Sequence, residues 1–254
     1  MDQFESFFSE IYGDRWGFLK EALLAPAQKQ ERDCFSGHAA YVMDGASIRA
    51  AQALQVKSGE SVLDLCAAPG GKTLILLEAL QGKGSLVANE LSSARRRRLD
   101  EVLRTHVPEE FQRLVRITGF DGNQFGLKKK NEFDKVLLDA PCSSERHWLE
   151  EDAEMKEWKP SRTRQLAPRQ YSLLCSALLT VKAGGKIIYS TCSISPLEND
   201  GVIQRLLERK SDEVMLDPAV DDLLDLERTE SGFQIFPDRA SGAGPIYLSR
   251  LVKI

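Results

Sequence analysis

Cys142 and Cys192 each stand just past a short apolar run, in Val136-Leu137-Leu138-Asp139-Ala140-Pro141-Cys142 and in Ile187-Ile188-Tyr189-Ser190-Thr191-Cys192. Runs of this kind fit parallel strands, and open α/β sheets bind their ligands in the crevice outside the carboxyl ends of such strands. A thiol placed there becomes a nucleophile once ionised, so the pair points to covalent chemistry. Free cysteine is also among the most buried residue types, and simple packing is the expectation for Cys34, Cys66 and Cys175. For Cys142 and Cys192 the Asp-Ala-Pro-Cys and Thr-Cys-Ser settings at neighbouring strand ends favour a functional role.

A second chemical motif runs through Asp64-Leu65-Cys66-Ala67-Ala68-Pro69-Gly70-Gly71-Lys72-Thr73. Small residues let the backbone approach a ligand, and the helix that follows offers unpaired N–H groups. A phosphate-gripping P-loop needs glycine five positions before Gly71, where Cys66 stands, and the spacing does not fit a dinucleotide Gly-x-Gly-x-x-Gly either. Glu90, Asp121 and Asp139 close three successive strand-like runs and would form one rim. Any one of these acids could be a helix cap or turn residue; three in register with a glycine loop argue for a ligand.

The elements that must hold these residues alternate between β-like runs and amphipathic stretches, the βαβ pattern of a parallel sheet. Strands are predicted at 61–66, 85–91, 114–118, 135–140 and 186–191, with helices at 72–80, 92–105 and 169–182. Gly184-Gly185 is expected to close the last helix in a left-handed conformation. Pro196 would open a helix over 198–209, and a late hairpin would pair Phe233–Phe236 with a terminal strand starting at Pro245. Residues 145–168 are long for a strand-to-helix connection; they could wall the site, or form a surface helical hairpin whose Trp148 and Trp158 merely pack. Phe4, Phe7, Phe8, Ile11, Trp16 and Leu19 give residues 1–55 a helix-compatible apolar pattern suited to packing on the core. The expected organisation is therefore a helical N-terminal extension, 1–55, on a catalytic domain, 56–254.

Composition narrows the function class. With 254 residues, 42% hydrophobic and 28% charged, the chain resembles an ordinary globular protein. No apolar stretch approaches a membrane span, and the acidic start is not signal-like, so a cytoplasmic location is expected, or a mitochondrial one if a targeting segment is missing. Five irregularly spaced cysteines and three histidines make neither a disulfide framework nor a zinc ligand set, and no metal is expected. The net charge of −4 argues against a general nucleic-acid coat, yet residues 56–195 carry 22 Lys/Arg against 18 Asp/Glu. Arg95–Arg98 fall about 100° apart on a helix and read mainly as a solvated face. Lys128–Lys130 are ambiguous, whereas Arg162, Arg164 and Arg169 lie between the cysteine strands, where a flipped nucleotide would enter.

The glycine loop, Asp139-Ala140-Pro141-Cys142-Ser143, Ser190-Thr191-Cys192-Ser193 and Glu198-Asn199 together resemble the Fmu/NSUN family of S-adenosylmethionine-dependent RNA cytosine-5 methyltransferases. The likeness takes in Tyr41-Val42-Met43-Asp44-Gly45-Ala46-Ser47 and Gly244-Pro245-Ile246-Tyr247, so it covers residues 40–254. Arg146-His147-Trp148 and the compact ending are most similar to the mitochondrial ribosomal and transfer-RNA branches. The resemblance implies an α/β, Rossmann-like class I methyltransferase fold: a seven-stranded, mostly parallel sheet with an antiparallel last strand and helices on both faces. It also implies S-adenosyl-L-methionine as cofactor, with Cys66, Ala67, Ala68, Pro69, Gly70, Gly71 and Lys72 around its methionine end. Glu90 would hold the ribose, Asp121 the adenine, and Asp139 would sit between cofactor and base.

The same resemblance makes Cys192 the nucleophile, with Cys142 assisting release. C5 of cytosine is a poor nucleophile, and thiolate addition at C6 turns the ring into an enamine able to accept the methyl group. Lys72 would reach the base and stabilise charge on the ring, and Asp139 would read the amine and N3 edge of cytosine against uracil. The implied partner is RNA, ribosomal in preference to transfer RNA, held by local phosphate contacts, by shape, or with help from a protein partner. Two other readings compete. A catalytically silent RNA-binding or ribosome-assembly factor would not need both cysteines, Asp139, Lys72 and the loop; methylation of nitrogen needs no thiol, and DNA cytosine-5 enzymes place the nucleophile in the Pro-Cys setting.

Overall fold

The computed structural model describes residues 3–150, 158–217 and 226–254. Two helices, α1 (Gln3–Tyr12) and α2 (Trp16–Leu24), precede a small antiparallel pair, β1 (Lys29–Arg32) and β2 (Tyr41–Asp44), and helix α3 (Gly45–Gln52). The α/β alternation follows: β3 (Ser61–Asp64), α4 (Gly71–Ala79), β4 (Ser85–Asn89), α5 (Ser93–His106), α6 (Glu109–Gln112), β5 (Val115–Thr118), α7 (Gly122–Lys128) and β6 (Phe133–Asp139). Beyond it lie α8 (Glu145–Glu150), α9 (Ser161–Thr180), β7 (Val181–Thr191), α10 (Asp200–Arg209), β8 (Val214–Leu216), β9 (Glu227–Arg228), β10 (Phe233–Ile235) and β11 (Ile246–Lys253).

The main sheet runs β5-β4-β3-β6-β7-β11-β10-β9, with β8 also paired to β11. Strands β5 through β7 are parallel, and β11 is antiparallel to β7. The chain builds outward from β3 in one direction and from β6 in the other, so the strand order reverses between them. A crevice opens above their carboxyl ends, at the place where such sheets bind ligands. Seven strands are expected from the resemblance, and the described sheet has nine. The outer edge of β11 is shared by two short strands, β10 at its start and β8 at its end, and β9 adds a further rung to β10.

Central parallel strands are covered on both faces, so their sequences are nearly continuous apolar runs. Side chains of successive residues still point to opposite faces. Leu63, Val136, Leu138, Ile187 and Tyr189 pack with α9 and α10 residues such as Leu174, Ala177 and Ile203. Val62, Leu137 and Ile188 join the other core with Leu74, Leu76 and Leu99 from α4 and α5. Residues of α3, among them Ala46, Ala50 and Ala51, belong to this second core.

Two local readings need correction. Gly184 is left-handed, with φ +73°, but it does not end a helix. Helix α9 stops at Thr180 into extended Val181, and Gly184 lies in a bulge of β7, where pairing with β6 jumps from Phe133↔Val181 to Lys135↔Lys186. Helix α9 also begins at Ser161, eight residues before the predicted start, and carries Pro168 within it. Proline removes one N–H and usually breaks a helix interior. Here it sits on an exposed face, while Gln170, Leu173, Leu174 and Ala177 anchor the helix to the core. Of the supposed hairpin over 145–168, residues 151–157 lie outside the described part.

A third cluster joins the N-terminal helices to the site. Phe4, Phe8, Trp16, Leu19 and Leu23 pack with Leu149, Trp158, Ile194 and Phe236. The Phe4 and Trp158 rings meet edge-on at 5.0 Å between centroids, and Trp158 is buried. Next to it the Arg146 guanidinium donates to the Ala22, Leu23 and Ala25 carbonyls at the end of α2, and to Gly242 and Gly244. Unpaired carbonyls at a helix C-terminus are a natural seat for a cation.

Candidate active site

Strand β3 delivers the glycine loop to the crevice, and Gly70 makes the turn into α4 with φ +121°. A side chain at Gly70 would be strained and would press on Leu99 and Val102 at 3.1 Å. Two adjoining cavities open on this side. The larger, about 460 Å³, is lined by Cys66, Asn89, Glu90, Leu91, Arg95, Asp121, Gly122, Asn123, Pro141, Arg169 and Leu173. The smaller, about 120 Å³, is lined by Tyr41, Met43, Ser47, Asp64, Cys66, Ala67, Ala68, Pro69, Gly70, Gly71, Lys72 and Asp139. Cys66 borders both, and burial pushes its thiol far up.

Glu90 is buried and accepts from Ser92 N at 2.9 Å, with the Arg95 guanidinium at 3.4 Å. Arg95 also donates to the Ala68 carbonyl at 2.7 Å and so reaches across the cleft. Arg95 is therefore half in solvent and half engaged at the cleft, and Arg96 is turned onto the Glu90 carbonyl at 2.7 Å. Asp121 lines the cavity and also caps α7, accepting from Asn123 N at 3.0 Å.

Strands β6 and β7 deliver the other half of the site side by side, Asp139 opposite Ser190 in the ladder. The Cys142 and Cys192 sulfurs are 2.9 Å apart, and Ser144 Oγ is 3.2 Å from Cys192 and 3.5 Å from Cys142. Lys72 donates to Asp139 Oδ2 at 2.7 Å. The hydrogen bond from Cys142, helped by Ser144, holds the Cys192 thiol below its ordinary value although burial works the other way. That same bond, with burial, pushes Cys142 well above it. Burial works to lower the Lys72 ammonium, but the Asp139 charge and hydrogen bond, with Cys192 adding to them, raise it overall. The arrangement is one ionisable thiol, one thiol that keeps its proton, and a lysine–carboxylate pair between them and the cleft.

The structure thus brings together Cys66 to Lys72, Glu90, Asp121 and Asp139 on the cleft, and Lys72 and Asp139 reach toward Cys142 and Cys192. The thiols themselves line neither cavity. Arg169 lies on the wall of the larger cavity; Arg162 stacks over the Trp148 ring at 4.8 Å, and Arg164 is exposed. Sequence reasoning missed Arg95, Ser144, Glu145 and Asp64 as site residues. Asp64 is buried, accepts from Thr73 Oγ1 at 2.7 Å, and is pushed up to about 7 chiefly by burial. Its position at the end of β3, ahead of the glycine loop, was the available signal.

A mostly parallel sheet, helices on both faces, and a ligand cleft over a glycine loop define a Rossmann-like methyltransferase fold. "Crystal Structure of PH0851" superposes with a TM-score of 0.82 over 97% of this chain and 64% of that one, at 25% identity. "The crystal structure of NSun6 from Pyrococcus horikoshii with SFG" superposes with a TM-score of 0.70 over 90% of this chain and 56% of that one, at 22% identity. Residues 51–252 match the family described as 16S rRNA methyltransferase RsmB/F, and the chain belongs to that family. It is 36% identical over 229 residues to the 5-cytosine rRNA methyltransferase NSUN4 of Bos taurus, covering 84% of this chain and 59% of the relative. It is 38% identical over 224 residues to the mitochondrial tRNA (cytosine(34)-C(5))-methyltransferase of Danio rerio, covering 84% of this chain and 60% of the relative. The chain therefore spans about three fifths of the length of these curated relatives.

Proposed function

We propose that this chain forms 5-methylcytosine in RNA, with ribosomal RNA as the preferred substrate, through attack of Cys192 on C6 of a flipped cytosine. The observation that carries this reading is the thiol pair, ordered so that Cys192 ionises and Cys142 keeps its proton, next to Lys72 and Asp139. N-methylation would need no such pair. The names of the relatives support the RNA and cytosine classes.

S-adenosyl-L-methionine would supply an electrophilic methyl group, and the residues present fit it. Glu90 offers a carboxylate for a ribose diol, Pro141 and Leu173 offer apolar walls, and two buried acceptors on the cleft, Asn123 Oδ1 and Asp64 Oδ1, have no hydrogen-bond partner among the described residues. An adenine amine and a methionine ammonium are the donors these oxygens lack. Asp139 would accept from the cytosine amine, and Lys72, freed from part of its ion pair, would stabilise charge on the ring. Cys192 adds to C6, which loads electron density onto C5. After methyl transfer the C5 proton passes to solvent water, the C5–H pair re-forms the C5–C6 double bond, and the Cys192–C6 bond breaks with its pair leaving on the Cys192 thiolate, which the Cys142 thiol 2.9 Å away would stabilise by hydrogen bonding.

Cys192→Ala should abolish 5-methylcytosine, whereas Cys142→Ala should allow attack and accumulate a covalent protein–RNA adduct, read by denaturing gel and bisulfite sequencing. An adduct in Cys192→Ala would overturn the assignment, and a wild-type protein that binds RNA without methylating it would favour the assembly-factor alternative. We place 1–55 as an extension that buttresses the thiol side of a 56–254 methyltransferase domain, supported by the Arg146 contacts and the aromatic cluster. Any requirement for a protein partner is tested by reconstituting methylation on naked RNA. For compartment we favour the mitochondrion, as in the name of the Danio rerio relative, over the cytosol; imaging of tagged full-length protein tests it. Among the described residues no helix is long and apolar enough to cross a membrane.

A further inference from the structure

Behind the two thiols lies a fully buried pair of carboxyl groups, Glu145 and Glu198, which the chemistry above does not use. Each cysteine is followed by a buried serine, Ser143 and Ser193, and the two hydroxyls are 3.0 Å apart. Ser143 Oγ donates to Glu145 Oε1, and Ser143 N donates to Glu198 Oε2 at 3.0 Å. Ser193 Oγ lies 3.2 Å from Glu145 Oε1 and 3.4 Å from Glu198 Oε1, while Ile194 N donates to Glu145 Oε2 at 3.1 Å. Gln170 of α9 closes the cluster by donating to Glu198 Oε2 at 2.7 Å and to the Pro141 carbonyl at 2.9 Å. Both cysteine loops are therefore tied to both carboxyl groups; Asn199 Nδ2 also donates to the Ser193 carbonyl and Ser195 N to the Ser193 hydroxyl, each at 2.9 Å.

We infer that Glu145 and Glu198 are positioning residues that share one proton and clamp Ser143 to Ser193, thereby setting which of the two thiols ionises. Two carboxylates joined through the same two serines cannot both be charged in a dry site without a large cost, so the pair carries one negative charge. Burial pushes Glu145 up to about 7 and raises Glu198 as well, consistent with a retained proton. The upward shift is larger at Glu145, but the hydrogen-bond donors gather there and so place the charge on Glu145 and the proton on Glu198. Glu145 as carboxylate takes Ser143 Oγ–H, Ser193 Oγ–H and Ile194 N–H; Glu198 as acid keeps Oε2 for Ser143 N and Gln170 and turns its own proton on Oε1 toward Ser193 Oγ. The titratable groups facing the cluster and the thiols are Tyr12, whose hydroxyl donates to the Ile194 carbonyl at 2.5 Å, Tyr189, whose hydroxyl donates to the Glu198 carbonyl at 2.5 Å, and Asp139 and Lys72. Both tyrosines are pushed up, mainly by burial, and stay neutral.

The inference deepens the proposed mechanism and rests on the same thiol pair, but its test needs no RNA. Iodoacetamide alkylation of the full chain is followed by mass spectrometry, separately for Cys142 and Cys192, from pH 5 to 10. In the wild-type protein Cys192 is expected to react at least about tenfold faster than Cys142, with a midpoint below the ordinary thiol value of about 8.5. Glu198→Ala should raise the Cys192 midpoint by about one pH unit, the change expected when a thiolate loses a partner, and bring the two rates together. Glu198→Gln, which reproduces the protonated acid with its amide toward Ser193, should keep the wild-type order. Should Glu198→Ala fail to fold, Ser193→Ala removes only the bridging hydroxyl and should narrow the rate ratio in the same direction. A folded Glu198→Ala or Ser193→Ala protein with the wild-type ratio and midpoint would overturn the clamp. Glu198→Gln behaving like Glu198→Ala would overturn the shared proton. If wild-type protein shows the thiol order and its dependence on Glu198 yet makes no 5-methylcytosine, the proposed function fails and the clamp stands.

Discussion

The cofactor half of the crevice and the thiol half are built by different means. Over β3, β4 and β5 the ligand surface comes mainly from backbone and residues close in sequence, namely the glycine loop, Glu90 two residues before the Ser92 cap and Asp121 capping its own helix, with Pro141, Arg169 and Leu173 closing it from the other side. Over β6 and β7 it is made of side chains that meet across long separations. Cys142 meets Cys192, Ser143 meets Glu198, and Arg146 meets α2 and the turn before β11. A backbone cradle needs little support because its donors are fixed by the elements themselves. Reactive thiols must be held to a fraction of an ångström, and that takes a packed surround of side chains tied to one another.

Breaking the thiol half should leave the cofactor half standing. The largest effect is expected for Cys192→Ala, a loss of at least about a thousandfold in methyl transfer, or some 4 kcal/mol, with cofactor affinity by calorimetry unchanged. Next comes Phe8→Ala, which empties a fully buried ring site between Trp16 and Trp158 and should cost about 3–5 kcal/mol in thermal or denaturant unfolding. It should impair thiol order before cofactor binding. Glu90→Ala should do the reverse, weakening cofactor binding by roughly tenfold to a hundredfold, as the loss of a charge-assisted hydrogen bond implies, while the alkylation profile of Cys192 stays in place. The smallest effect is Asp121→Ala: loss of the α7 cap should cost about 1 kcal/mol, measured by unfolding.

A pH measurement sharpens the same contrast. Cys192 sits below the ordinary thiol value because Cys142 donates to it, so its ionisation and the rising limb of the rate should fall at lower pH than for a free thiol. Cys142→Ala removes that donor and should move the limb of adduct formation upward, whereas Glu90→Ala should not move it.

Much of the fold could be read locally. The five parallel strands and the hairpin of β10 with β11 follow from apolar runs and turn residues, and the glycine loop, Glu90, Asp121, Asp139 and both cysteines stand at strand ends for that reason. Helix α9 was less legible because Pro168 looks like a breaker, and only the packing of the turns beyond it shows that the helix runs on. Gly184 announces a left-handed residue but not which structure needs it; the bulge exists because β7 must pair with β6 in one register at Lys186. Arg95 was legible as a charge on a helix, yet its reach to the Ala68 carbonyl depends on how α5 leans over the loop.

Sequence alone determined where reactive groups stand along the strands, because a two-residue alternation and the strand-to-helix turns assign each residue to a face or an end. The resemblance already names Cys192 as the attacking thiol, and tertiary structure supplies the physical reason for that order. That reason is a 2.9 Å contact between two neighbouring strand ends, held in our proposal by the carboxyl pair behind them, and long-range distance and desolvation are not written in any local run of residues.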